Sequence, residues 1–191
     1  MYSRSDPDWF HAYGFRLAPI HPGAANGNYQ SNDNYTSRGG GLVRIHAAEM
    51  SIAGQIFADA GAPTVTGTLF GGASGGGIWL TADSFDFANT AVLSAKGGNS
   101  SYDSPGGGGR IAIGEGMLSE NIATLAETGE CRGLKASGRR TNEKAFAKFG
   151  SKHQGVIIII KSGNDKNGAT VDGDDGSFDY YSPTGNMLIF R

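Results

Sequence analysis

Apolar and polar residues alternate in short runs through the middle of this chain. Val43, Ile45 and Ala47 share one parity, followed by Met50, Ile52 and Gly54, then Ile56, Ala58 and Ala60. The same order returns downstream as Ile78, Leu80 and Ala82, then Phe85 and Phe87, then Leu93 and Ala95. A period of two over short runs predicts strands with one buried face. The alternation is itself repeated. GGGLVRIHAAEMSIAGQIFADAGA (39–62) is followed by GGGIWLTADSFDFANTAVLSAKGG (75–98), and then by a third start, GGGRIAIGEG (107–116). Recurrence at a stagger of about 36 residues is the signature of a stacked repeat architecture. The second copy carries two extra residues near Asn89 to Ala91, between strands, where an insertion costs little.

Each repeat predicts about three short strands joined at corners. Stacked copies pair in parallel and together bury the apolar face that none can bury alone. Gly54 and Asn89 fall at one corner, and Gly61, Gly97 and Gly98 at another. Residues that tolerate positive φ are expected there. Pro63 to Gly77 and Asn99 to Gly109 read as surface loops, Tyr13 to Ile20 as an incoming strand, and His21 to Arg38 as a long polar loop. Beyond Gly116 the pattern fades. Met117 to Glu130 reads as loosely helical or irregular, Glu143 to Phe149 as a short helix, and Val156 to Ile160 as a buried strand. An acidic stretch from Asp165 to Asp179 and a last apolar run, Met187 to Phe190, complete the chain.

The expected fold class is all-β: a right-handed parallel β-helix (solenoid) fragment with an irregular C-terminal part. Its expected organisation is an N-terminal loop or incoming coil at 1–38, Gly-rich β-helix coils at 39–116, and degenerate coils or an end cap at 117–191. The chain also reads as beginning inside a repeat, hence as a fragment or stub of something longer.

GGASGGGIWLTA, AVLSAKGGN and SPGGGGRIAI resemble the Gly-rich repeats of very large bacterial surface or secreted proteins of the parallel β-helix type. Autotransporter passengers and filamentous adhesins share that architecture. The resemblance spans about residues 13 to 116 and carries over no catalytic residue. It implies an extracellular or cell-surface location. It also implies a non-enzymatic, structural or adhesin-like role, with glycans or partner proteins as the expected contacts. Edge-to-edge self-association, or further coils in a longer chain, is the expected way of covering open strand edges.

Composition narrows the picture further. There are 32 glycines in 191 residues, clumped between apolar runs, and 6 prolines without a three-residue period, so collagen is excluded. A net charge of −2 gives no electrostatic case for nucleic acid. Cys131 is the one cysteine, so no internal disulfide forms. The opening MYSRSDPDWF shows no signal peptide, and no apolar run is long enough for a membrane span.

Candidate chemistry is sparse, and each motif has a plainer reading. Gly72-Ala73-Ser74-Gly75-Gly76 matches GxSxG, but a nucleophile elbow needs a helix after the serine, and GGGIWL starts none. Gly106 to Gly109 with Arg110 lacks the GK[ST] of a phosphate loop and reads as a corner before a strand. Asp172, Asp174 and Asp175, with Asn164, Asp165 and Asn167 nearby, suit calcium by donor type, although Asx–Gly stretches also simply make turns. His11, His21, His46 and His153 lack ligand spacing and read as surface residues.

The basic run Arg132 to Lys152 (Arg132, Lys135, Arg139, Arg140, Lys144, Lys148, Lys152) reads as a solvated face or an anion-binding one. Tyr102, Phe178, Tyr180 and Tyr181 could together make a sugar-stacking platform, or simply be surface aromatics. For the alternative function, a polysaccharide lyase or glycoside hydrolase on a β-helix, the candidate acids are Asp83, Asp86, Asp103 and Glu115. No catalytic residue, metal ligand or cofactor is assigned from these patterns.

Overall fold

A computed structural model describes residues 15–26, 37–61, 71–100, 104–117, 119–128, 142–165, 167–168 and 175–182. The elements in chain order are β1 (Leu42–Ile52), β2 (Gln55–Phe57), β3 (Gly77–Phe87), β4 (Val92–Ser94), β5 (Arg110–Glu115), α1 (Ser119–Thr128), α2 (Asn142–Lys152), β6 (Ile157–Ile159) and β7 (Ser177–Tyr181). They form a four-stranded parallel sheet, β1-β3-β5-β7, and a three-stranded parallel sheet, β2-β4-β6.

Repeat pairs with repeat in register. Ile45 lies opposite Leu80, which lies opposite Ile113, and Ile56 lies opposite Leu93. The two-residue insertion falls where expected, between Phe87 and Val92: Ile52 pairs with Phe87, but Gln55 pairs with Val92. Parity switches inside the long strands. Ile78, Leu80 and Ala82 face the core, and so do Phe85 and Phe87. The bend lies at Ala48 and Asp83, where the register skips one pair. Each of the first two repeats therefore supplies one long bent strand and one of three residues.

The principal core lies between the two sheets. It joins Met50, Ile52, Ile78, Leu80, Leu93, Ile111, Ile113 and Phe178 to Ala145 and Phe149 of α2. A second core covers the other face of the four-stranded sheet. Trp79, Ala112 and Tyr181 pack there against Leu17 and Ala18, Met117, and Ile122 and Leu125 of α1. Tyr181 ties these layers together, its hydroxyl accepting from Trp79 Nε1 (2.7 Å) and donating to the Leu17 carbonyl (2.8 Å).

The expectation of an all-β parallel β-helix is overturned. The chain is mixed α/β: the described residues form two parallel sheets with two helices of 10 and 11 residues. An all-β coil would leave the outward positions of its strands to water. Here the outward positions Trp79 and Ala112 are sealed under α1 and residues 15–20, so the first six residues of β3 are all buried. A parallel sheet covered on both faces is the α/β arrangement. Residues 15–20, expected as a strand, are irregular and serve as part of that cover. Conversely, Ile45 and Ile157, expected inside, are 40% and 51% exposed.

The glycines act through closeness rather than through unusual φ. Among the described residues only Gly116, Gly155 and Gly168 have positive φ, and none is a predicted corner. Extended Gly-rich runs instead hydrogen-bond directly to one another, as in Gly40 N to Ser74 O, Gly76 N to Ala58 O, Gly98 N to Ala73 O and Gly109 N to Ala95 O. A Cβ on Gly76 would sit 1.9 Å from the Gly41 carbonyl oxygen, and one on Gly109 2.1 Å from that of Gly76.

Candidate functional site

Glu115 ends β5 and shares its register position with Ala82, so it points toward the principal core. Tyr180, on the neighbouring β7, points the same way. Lys152 and His153 arrive at the C-terminal end of α2, a helix fixed to the core by Ala145 and Phe149 one turn apart. The His153 amide still bonds to the Phe149 carbonyl, and Gly155, at positive φ, stops the turn. Three elements thus meet at one carboxylate. Lys152 Nζ donates to Oε1 (2.6 Å), the Tyr180 hydroxyl donates to Oε2 (2.5 Å), and His153 Nε2 lies 3.4 Å from Oε2. Phe87 and Phe149 wall the imidazole at 5.0 and 4.9 Å, and the Lys148 ammonium sits 5.4 Å from the Tyr180 ring centre.

The electrostatics follow from this packing. Burial pushes the Glu115 carboxyl up, but the bonds from Lys152 and Tyr180, the Lys152 charge and the His153 contact outweigh it. The group ends below its ordinary value. Burial, then the bond to Glu115 and its negative charge, push the Tyr180 phenol well above its ordinary value. At neutral pH the carboxylate is ionised and the phenol protonated. Neither is poised for proton transfer there, which wants a pKa near the working pH. The cluster is a latch that ties the end of α2 to the ends of β5 and β7.

The other sequence candidates do not converge on it. Asp83 and Asp86 are exposed, and Asp86 accepts from Ser51 Oγ (3.4 Å). Ser74 Oγ accepts from the Ala24 amide (2.6 Å), a tie between Gly-rich segments with a strand following. Arg110 opens β5 after 104–109, and Arg44 lies over the Trp79 ring at 4.6 Å. His21 and His46 are exposed, with His46 Nδ1 3.0 Å from Thr81 Oγ1, but His153 is buried, contrary to the surface reading. Phe178, Tyr180 and Tyr181 are buried too and form no sugar platform. Asp175 pairs with Lys161 (2.7 Å), and Asp165 accepts from the Asn167 amide. Asp172, Asp174, Asp103, Tyr102, His11, Cys131 and the basic residues from Arg132 to Arg140 lie outside the described residues. Lys144, Lys148 and Lys152 of that run are on α2.

Among the described residues no group of three or more His, Cys, Asp or Glu could hold a metal ion, and no helix is long and apolar enough to cross a membrane. Sequence reasoning named Glu115, Lys152, His153 and Tyr180, but in four separate candidate sets and never as one cluster.

A different feature stands open. Among the described residues β1 pairs with β3 alone and β2 with β4 alone, so both edges lie at the same end of the stack. In β1 only Met50 and Ile52 are buried, and Leu42, Ile45 and Phe57 of β2 are 39%, 40% and 55% exposed. At the opposite end, four of the five residues of β7 are buried and α2 packs on the strand. No family model, curated protein or solved structure matches the chain.

Proposed function

We propose that this chain is a non-enzymatic structural module of a surface or secreted assembly, and that it meets its partners through the β1–β2 end. The observation that carries this is the asymmetry of the four-stranded sheet among the described residues: its β7 edge is buried and packed by α2, while its β1 edge presents an eleven-residue strand beside apolar side chains. An exposed edge offers unpaired N–H and C=O groups to an incoming strand, and the apolar residues beside it add affinity. The likeness of the Gly-rich repeats to those of bacterial surface proteins supports the location, and glycans or proteins are the contacts to expect. The Glu115 latch supports the non-enzymatic part, because the Glu115 carboxyl and the Tyr180 phenol are both shifted away from neutral pH.

The test is to incubate the protein with acidic and neutral polysaccharides and measure new unsaturated or reducing ends. None should appear. Turnover that is lost in Glu115→Gln would overturn the proposal and favour a polysaccharide lyase or hydrolase.

A further inference from the structure

We infer that the β1–β2 end is the interface of a closed, two-fold dimer, in which β1 pairs antiparallel with β1 of a second copy. This rests on the reading of that end as a docking surface and names its occupant.

Three observations point to a second copy. The first is the bend. Before Ala48 the core-facing residues of β1 are Val43, Ile45 and Ala47, and after it they are Met50 and Ile52. A two-fold axis near the bend lays the first arm of one copy against the second arm of the other. Because parity switches at Ala48, core-facing residues then meet core-facing residues. A register that sets Ile45 opposite the partner's Met50 also sets Val43 opposite the partner's Ile52.

The second observation is charge. In that register His46 stands opposite the partner's Glu49, and Arg44 opposite the partner's Ser51. All four face outward, so no like charges oppose each other and no charge is buried. A strand must run antiparallel to itself across a two-fold axis, so this self-complementarity is what an isologous contact requires.

The third is what the edge lacks among the described residues. Natural edge strands are kept from pairing by shortness, proline or inward-pointing charge. β1 is eleven residues long, with no proline and no charged residue among its core-facing positions. Head-to-tail growth is blocked because β7, the opposite edge of the same sheet, is buried and braced by α2. Association therefore stops at two.

The experiment is sedimentation velocity on the full chain at micromolar concentration, with two sets of variants. The native chain should sediment at twice its 19.8 kDa mass. Ile45→Lys, at a position already 40% exposed, should halve that mass and leave the circular dichroism spectrum unchanged. In a Cys131→Ser background, His46→Cys with Glu49→Cys should form a covalent dimer on mild oxidation. These two positions are too far apart within one strand to bridge, but face each other across the two-fold.

A monomer at all concentrations would overturn the dimer while leaving the non-enzymatic module intact, since the polysaccharide assay decides that separately. A dimer that persists in Ile45→Lys, or that resists cross-linking, would overturn pairing through β1. Filaments in place of dimers would overturn the closed two-fold arrangement. If Ile45→Lys does not fold, the cysteine pair decides the question alone, because both of its positions are exposed.

Discussion

Single glycines in this protein stand where backbones touch. Gly76 has the Gly41 carbonyl oxygen where its Cβ would be, whereas Gly54 has nothing within 4 Å and no positive φ. Gly76→Ala should cost about 2–4 kcal/mol, because backbone cannot move aside as a side chain can. Gly54→Ala should be neutral or stabilise by up to about 1 kcal/mol through the unfolded state. Urea unfolding of the two variants checks both, and equal effects would contradict the packing account. Glu115 sets a second residue-scale expectation. Its carboxyl titrates lower in the folded chain, so its contribution is complete above the ordinary carboxyl value of 4.5 and fades as acid protonates the folded group. Glu115→Gln should therefore cost about 1–3 kcal/mol at neutral pH, and the two proteins should converge in acid. Tyr180 works at the other extreme. Its raised pKa means stability is full below pH 10.0, the ordinary phenol value, and falls above it, and Tyr180→Phe should soften that alkaline loss.

Elements carry the difference between a bare coil and the observed fold. α1 has Ile122 and Leu125 one turn apart, and both are buried on the outer face of the four-stranded sheet. Leu125, fully buried, should cost about 2–5 kcal/mol when cut to Ala. In an all-β coil a helix outside the strands would be dispensable, so a negligible cost would argue against the covered sheet. Arg16 adds a charged tie on the same side, its Nε donating to Asp179 of β7 at 2.6 Å. α2 does the corresponding work at the end of the stack. Phe146 and Phe149 meet Phe178 at 4.7 and 5.4 Å, so the helix packs its aromatic face against the core side of β7. The favourable first-turn Glu143 and last-turn Lys152 agree with its direction.

At the scale of the whole molecule, protection should be graded along the stack. Amide exchange should be slowest in β3 and β5, which have neighbours on both sides, and faster in β1, with slowing of β1 as concentration rises into the dimer range. Uniform protection at all concentrations would contradict a free edge. Much of this architecture was legible in the chain. The repeated alternation gave the strands, their parallel pairing and the place of the two-residue insertion, because register in a buried sheet follows from which residues avoid water. Local signals also marked α2 and β6. The sequence did not show that Trp79 and Ala112 would be covered, since an outward position looks the same whether water or a helix lies over it. It did not show that glycines serve contact rather than corners, since closeness depends on chain segments far apart. Nor did it bring Lys152, His153 and Tyr180 to Glu115, residues that only the docking of α2 against β5 and β7 unites. Periodicity along a chain fixes which side of each strand is apolar. What lies against either side, and which end of the stack stays open, is set by contacts that no local pattern encodes.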